Sequence, residues 1–202
     1  MGNLRSVQKA FEYLGAAAST IEDPDQVKAA SILVIPGVGA FPDAIGNLGK
    51  ARLIEPILDH ASRGRPILGI CLGMQLLLDV SHEKGQSSGL GLIPGRVIEF
   101  ERNVGFKVPH MGWNQLEVAN PHPILEGFES GSHAYFVHSF HAEVDEPSTV
   151  LATTNYGSKF PAIIGLNSVI GFQFHPEKSH RVGLDLLEKY LDVYARREVK
   201  IL

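Results

Sequence analysis

Three short segments carry the residue types that could do covalent chemistry together. In Leu68-Gly69-Ile70-Cys71-Leu72-Gly73-Met74-Gln75 an apolar run enters G-x-C-x-G and continues with helical character. This is the pattern of a nucleophile elbow, with cysteine where many hydrolases carry serine. A sharp strand-to-helix turn needs small residues on both sides, because neighbouring chain comes too close for side chains. The sulfur then projects at the positive end of the following helix, which favours thiolate over thiol. The plainer reading of Cys71 is a small buried hydrophobe, the common fate of a single cysteine.

A nucleophile needs a base. Gly171-Phe172-Gln173-Phe174-His175-Pro176-Glu177 is an apolar run that ends on histidine, with a carboxylate two residues on. A strand here lifts His175 to the carboxyl edge of a parallel sheet, the edge where the elbow sits. Pro176 stiffens the exit so that Glu177 can turn back, accept the imidazole N–H and fix the tautomer. The third segment is Ile35-Pro36-Gly37-Val38-Gly39-Ala40-Phe41. Its spaced glycines permit a backbone that aims N–H groups at a small anion: an ordinary βα turn, a phosphate nest, or an oxyanion hole. With the Leu72 N–H as second donor, its place on the same edge favours the oxyanion hole.

These segments need elements to hold them. Leu4, Val7, Phe11 and Leu14 recur at helical spacing, with Asn3 as N-cap and Gly15 as the stop. Ser31–Ile35 is a continuous apolar strand ending at Pro36-Gly37. Leu53, Ile54, Ile57, Leu58 and Ala61 form a helical stripe closed by Gly64, followed by a strand over Pro66–Ile70 and a helix over Met74–Val80. This alternation predicts right-handed βαβ units and a mainly parallel sheet flanked by helices. The second half adds antiparallel strands: Arg96–Glu101, Asn114–Val118, Tyr135–His141, Val150–Thr154, Ala162–Leu166 and Val169–Phe174, the last two joined by a tight hairpin. A helix from Arg181 to Arg197, with Leu184, Leu187, Leu191 and Tyr194 on one face, ends the chain.

The 202 residues suit one α/β domain spanning 1–202. With 22 acidic against 18 basic residues the chain lacks the basic surface of a nucleic-acid binder. One cysteine excludes an internal disulfide framework and a clustered-thiolate zinc site. No apolar run is long enough to span a membrane, and no secretory signal is visible. The expected setting is the cytoplasm. Met1-Gly2-Asn3-Leu4-Arg5-Ser6 fits the loose myristoylation pattern. His138 and His141, three apart on one strand, should face opposite sides; they are read as structural, and no metal site is expected. Trp113, in a Pro/Gly-bounded segment without periodicity, suits an interface or a partly buried structural role equally.

The segments PGVG (Pro36–Gly39), GICLG (Gly69–Gly73) and HPE (His175–Glu177), in this order, resemble the class I, triad-type glutamine amidotransferases. GNLRSV (Gly2–Val7), KVPHMGWN (Lys107–Asn114), YFVHSF (Tyr135–Phe140) and GFQFHPEKS (Gly171–Ser179) narrow the resemblance to the glutaminase subunits of imidazole glycerol phosphate synthases. It spans nearly the whole chain and implies a flavodoxin-like sheet, no cofactor, and a Cys71-His175-Glu177 triad that hydrolyses L-glutamine. Val38, Gly39 and Leu72 would form the oxyanion hole. Gly37, Gln75, Glu83, Ser139 and Phe140 would bind substrate. Asn3, Trp113, Tyr135 and Lys178 would meet a (β/α)8 cyclase subunit, which receives the ammonia and makes imidazole glycerol phosphate and an aminoimidazole carboxamide ribonucleotide. The triad motifs alone leave another pathway's glutaminase, an inactive module of the same fold, or a cysteine hydrolase open.

One departure stands out. Members of this family begin with an apolar strand of about eight residues, central in the sheet beside Ser31–Ile35, and this sequence starts just after it. The family resemblance also explains the myristoylation pattern as family sequence out of context. The expectation is an upstream start; the alternative is a central vacancy, with each unsatisfied buried group costing about 1–3 kcal/mol.

Overall fold

The computed structural model describes residues 2–101, 106–194 and 198–202, with only the backbone of residues 2 and 3. The first half runs α1 (Gly2–Tyr13), β1 (Ala17–Thr20), α2 (Pro24–Ala29), β2 (Ile32–Gly37), α3 (Phe41–Lys50), α4 (Ile54–Ser62), β3 (Ile67–Cys71) and α5 (Leu72–Leu76). Short strands follow: β4 (Val80–Ser81), β5 (Ser87–Ser88), β6 (Gly95–Glu99), β7 (His110–Val118), β8 (Ser132–His138) and β9 (Phe140–Val144). Then come β10 (Val150–Tyr156), β11 (Ser158–Leu166), β12 (Val169–Phe172), α6 (His180–Val193) and β13 (Glu198–Ile201).

Among the described residues the main sheet has the order β1-β13-β2-β3-β12-β11-β10-β7-β8. From β1 to β12 the neighbours are parallel; from β12 to β8 they are antiparallel. A smaller sheet, β5-β4-β6-β9, packs beside it. The alternation of β2 divides the core. Ile32 and Val34 face a cluster with Phe11 of α1 and Leu187 of α6, while Leu33 and Ile35 face Val27, Phe41 and Ile57 of the other helices. Burial on both faces explains why the central strands read as unbroken apolar runs.

Several boundaries differ from the sequence reading. The helix after Cys71 stops at Leu76, because the loop at 90–93 donates its N–H groups to the carbonyls of Leu76, Leu77 and Leu78. Val80 is therefore in β4, not in the helix. The run at 135–141 breaks at Ser139: β8 belongs to the main sheet, and β9 pairs with β6 in the small one. That break resets the strand alternation, so His138 and His141 do not face opposite sides. Both rings pack on Phe100 (5.3 and 4.6 Å) and Phe160 (5.4 and 5.2 Å). Asn3 lies inside α1 rather than before it. Its side chain, and with it the interface role expected of it, lies outside the described residues. Helix α6 ends at Val193, short of the expected Arg197.

The place beside β2 is taken by the C-terminal strand. β13 lies between β1 and β2, parallel to both, with Ala17 opposite Glu198 and Thr20 opposite Ile201 on one side. On the other side Val199 pairs with Ile32 and Ile201 with Val34. The ladder closes at its end, where Ile21 donates to the Ile201 carbonyl (2.8 Å) and Leu202 to the Val34 carbonyl (3.0 Å). Val199 and Ile201 are fully buried, and Lys200 keeps its ammonium on the Ser19 hydroxyl at 3.0 Å. Extending the last helix to Arg197 left too little chain for a strand, which is why the sequence reading missed it.

Candidate active site

β3 and β12 are parallel neighbours in register, with Ile70 opposite Phe172. The chain leaving each strand therefore reaches the same edge. At the end of β3, Cys71 takes φ 56° and ψ −111°, a conformation costly for a residue with a Cβ and typical of functional positions held by their surroundings. The flanking glycines are obligatory. A Cβ on Gly73 would stand 1.6 Å from the Ile35 carbonyl oxygen, and one on Gly69 would stand 2.6 Å from that of Gly73. Gly37 pairs with Cys71 from β2, and a Cβ there would meet the Leu72 Cβ at 2.8 Å. Gly37 thus lets the elbow sit close to β2; it lines an adjoining apolar cavity rather than the one at Cys71.

His175 is fixed through its backbone. Its N–H donates to the Tyr135 carbonyl of β8 (2.9 Å). The Ser179 hydroxyl donates to its carbonyl (2.7 Å) and accepts from the Tyr135 N–H (3.0 Å). The turn Pro176–Lys178 then folds Glu177 back, so that its Oε1 lies 2.9 Å from His175 Nδ1. Both side chains are almost wholly buried, at 1% and 0% exposure. Nδ1 consequently carries the proton, and Nε2 is the ring's other nitrogen. Burial by itself opposes an imidazolium, but hydrogen bonds and charge from Cys71 and Glu177 outweigh it and raise the His175 pKa to about 9. His175 and Cys71 line the same cavity.

A cavity of about 360 Å³ opens over the sulfur, within the size range of small-molecule sites. It gathers Val38, Gly39, Leu72, Gln75, Glu83, Ser139 and Phe140 around Cys71 and His175. Gly39 has φ +100°, the freedom its loop needs. Glu83 Oε2 accepts from the Phe41 N–H at 2.7 Å, tying the loop before α3 to the cavity wall. Gln75 donates from Nε2 to the Phe140 carbonyl (2.8 Å) and to Gln173 Oε1 (3.2 Å), which leaves its Oε1 to accept.

Two side chains at the site carried no role in the sequence reading. Gln173, fully buried on the way to His175, directs Nε2 at the Cys71 sulfur from 4.0 Å; a glutamine in an otherwise apolar run was its only signal. His138 lines the cavity from the end of β8. Trp113, Tyr135 and Lys178 come together on one surface. The indole stacks on His180 (4.9 Å, 7°) and meets Tyr135 edge-on, and the Lys178 ammonium lies 5.9 Å from the Tyr135 ring centroid. Trp113 and Met111 are 47% and 62% exposed, a large apolar display for one strand end.

A family profile described as Glutamine amidotransferase class-I matches residues 4–192. The imidazole glycerol phosphate synthase subunit HisH of Syntrophotalea carbinolica is 49% identical over 198 residues, covering 96% of each chain. The subunit of the same name from Bacillus subtilis is 46% identical over 204 residues, covering 99% of this chain and 96% of its own. Among solved structures, one described as a glutamine amidotransferase superimposes with a TM-score of 0.71 at 20% identity, over 95% of this chain and 93% of its own. That likeness concerns the fold.

Proposed function

The chain belongs to the class I glutamine amidotransferases, among the HisH subunits of imidazole glycerol phosphate synthase, and from that premise we propose that Cys71, His175 and Glu177 are the triad by which it cleaves glutamine. As such a subunit it is a glutaminase serving histidine biosynthesis. The observation that carries the triad is the buried His175–Glu177 pair at 2.9 Å, with the histidine and Cys71 lining one cavity.

The chemistry follows from these positions. The Cys71 sulfur attacks the side-chain carbonyl carbon of glutamine, and the oxygen takes the negative charge. Backbone N–H groups of the Val38–Gly39 loop and of Leu72 stabilise that oxyanion, each worth about 2.7–4 kcal/mol of barrier. The carbon–nitrogen bond breaks as His175 gives its proton to the departing nitrogen, releasing ammonia and a γ-glutamyl thioester. Water then attacks the thioester with His175 as base, freeing glutamate and returning the proton to the imidazole. Gln75, Glu83, Ser139 and Phe140 hold the substrate. The patch of Trp113, Tyr135 and Lys178 receives a (β/α)8 cyclase subunit, to which the ammonia passes; exposed tryptophan and tyrosine are frequent anchors of such contacts. The setting is cytoplasmic, and no helix among the described residues is long and apolar enough to cross a membrane.

Glu177→Gln tests the pairing through pH. His175 is held protonated up to about pH 9, in part by the carboxylate. Neutralising Glu177 removes that support and lowers the histidine pKa. The imidazolium needed to protonate the leaving nitrogen is then lost at lower pH. The alkaline limb of glutamine turnover by the complex moves toward neutrality, and turnover at neutral pH falls by about 10²-fold. An unmoved limb contradicts the pairing.

A further inference from the structure

The wall of the glutamine cavity is held from behind by groups that take no part in the steps above. His110 of β7 and His138 of β8 are cross-strand partners, with Nδ1 of the first 3.0 Å from Nε2 of the second. His138 Nδ1 lies 2.8 Å from the Phe140 carbonyl oxygen, and Asn114 Nδ2 lies 3.2 Å from His110 Nε2. The partners settle every proton in this row. A carbonyl only accepts, so His138 Nδ1 carries hydrogen, and the neutral ring then offers Nε2 as an acceptor. His110 must donate to it from Nδ1, which leaves its own Nε2 to accept from Asn114. The asparagine is oriented independently: its Nδ2 also donates to the Asn155 carbonyl (2.8 Å), and its Oδ1 accepts from the Gln115 N–H (2.9 Å).

Both rings are neutral for a physical reason. His110 and His138 are 2% and 7% exposed and sit among Phe100, Phe136, Tyr156 and Phe160. Burial pushes their pKa values down to about 4 and about 3. The Phe140 carbonyl at the end of the row also accepts from Gln75, whose other amide hydrogen reaches Gln173 beside the Cys71 sulfur.

We infer that Asn114, His110 and His138 form a one-way hydrogen-bonded row of positioning residues that fixes the Phe140 carbonyl and, through it, the amide of Gln75, and so sets the affinity for glutamine. The inference rests on the glutaminase site proposed above. Breaking the row between the histidines leaves His138 without its donor, frees its ring to turn, and loosens the carbonyl that orients Gln75.

The test uses the complete complex with its cyclase subunit. His110→Phe keeps a buried ring but cannot donate; His110→Gln can donate to His138 and accept from Asn114. His110→Phe raises KM for glutamine by about tenfold, as expected for a buried acceptor deprived of its donor, while kcat stays within about threefold and turnover with free ammonia is unchanged. His110→Gln restores the KM. If both variants keep the wild-type KM, or if both lose kcat and KM alike, the positioning role is overturned. A readout independent of activity covers misfolding of a variant. Imidazole nitrogen NMR of the unaltered protein shows both rings as the Nδ1–H tautomer, and Nε2–H at either ring overturns the row. Failure of the underlying reading looks different, because the wild-type complex would then show no glutamine-dependent turnover at all.

Discussion

Cys71→Ala abolishes glutamine-dependent formation of imidazole glycerol phosphate in the reconstituted complex and leaves turnover with added ammonium salts intact. The expected loss is on the order of 10⁴-fold or more, the scale seen when a nucleophile acting in a unit with its base is removed. The reason lies in the division of labour. In the proposed function the elbow supplies only ammonia, and cyclisation takes place on the partner. The substitution is also structurally mild: alanine keeps a Cβ at the strained φ of 56° and removes a single sulfur from a cavity wall. Loss of both activities in an assembled complex would contradict this division. Retention of glutamine turnover would contradict the nucleophile.

The second large effect concerns the strand that joins β1 to β2. Deleting residues 198–202 leaves β1 and β2 facing an empty slot in the middle of the parallel half, with a row of backbone groups unpaired on each side. Two fully buried side chains are lost with it. Burial of Val199 and Ile201 contributes about 1.5–3 kcal/mol each, and the ladder adds about 1 kcal/mol per hydrogen bond. Against a typical stability of about 5–15 kcal/mol the deletion removes most or all of the margin, and the protein is recovered unfolded or aggregated. Ile201→Ala gives the graded version, a loss of about 2–5 kcal/mol read from the denaturant midpoint. A deletion variant that unfolds at the wild-type midpoint would show that β13 does not hold the sheet.

The same strand shows where reading a sequence succeeds and where it stops. The runs of β2 and β3, their glycine-bounded exits and the parallel β12 were legible because burial on both faces writes an uninterrupted apolar signal. The elbow was legible because Gly69 and Gly73 answer a steric demand that no other residue meets. β13 is four residues long, comes soon after the last helix, and shows only Val199 and Ile201 as inward positions; nothing local separates it from a frayed terminus. Its place is set by pairing with β1 on one side and β2 on the other, which no local pattern shows. The histidines failed for a related reason. Alternation along Tyr135–His141 assumes one continuous strand, and the switch of sheets at Ser139 turns both rings toward Phe100 and Phe160. Gln173 lies within a recognisable motif, but a buried amide reveals its partners, Gln75 and the sulfur, only in three dimensions.

The central claim is that one sulfur, activated by one buried imidazole–carboxylate pair, takes the side chain of glutamine. Treating the assembled complex with diazo-oxo-norleucine, an electrophile shaped as glutamine, tests it most directly when the modified peptide is located by mass spectrometry. The account predicts a single adduct on Cys71, formed with loss of nitrogen gas, suppressed by excess glutamine and much slowed in His175→Asn. An unmodified Cys71 in a complex that still binds glutamine would contradict it.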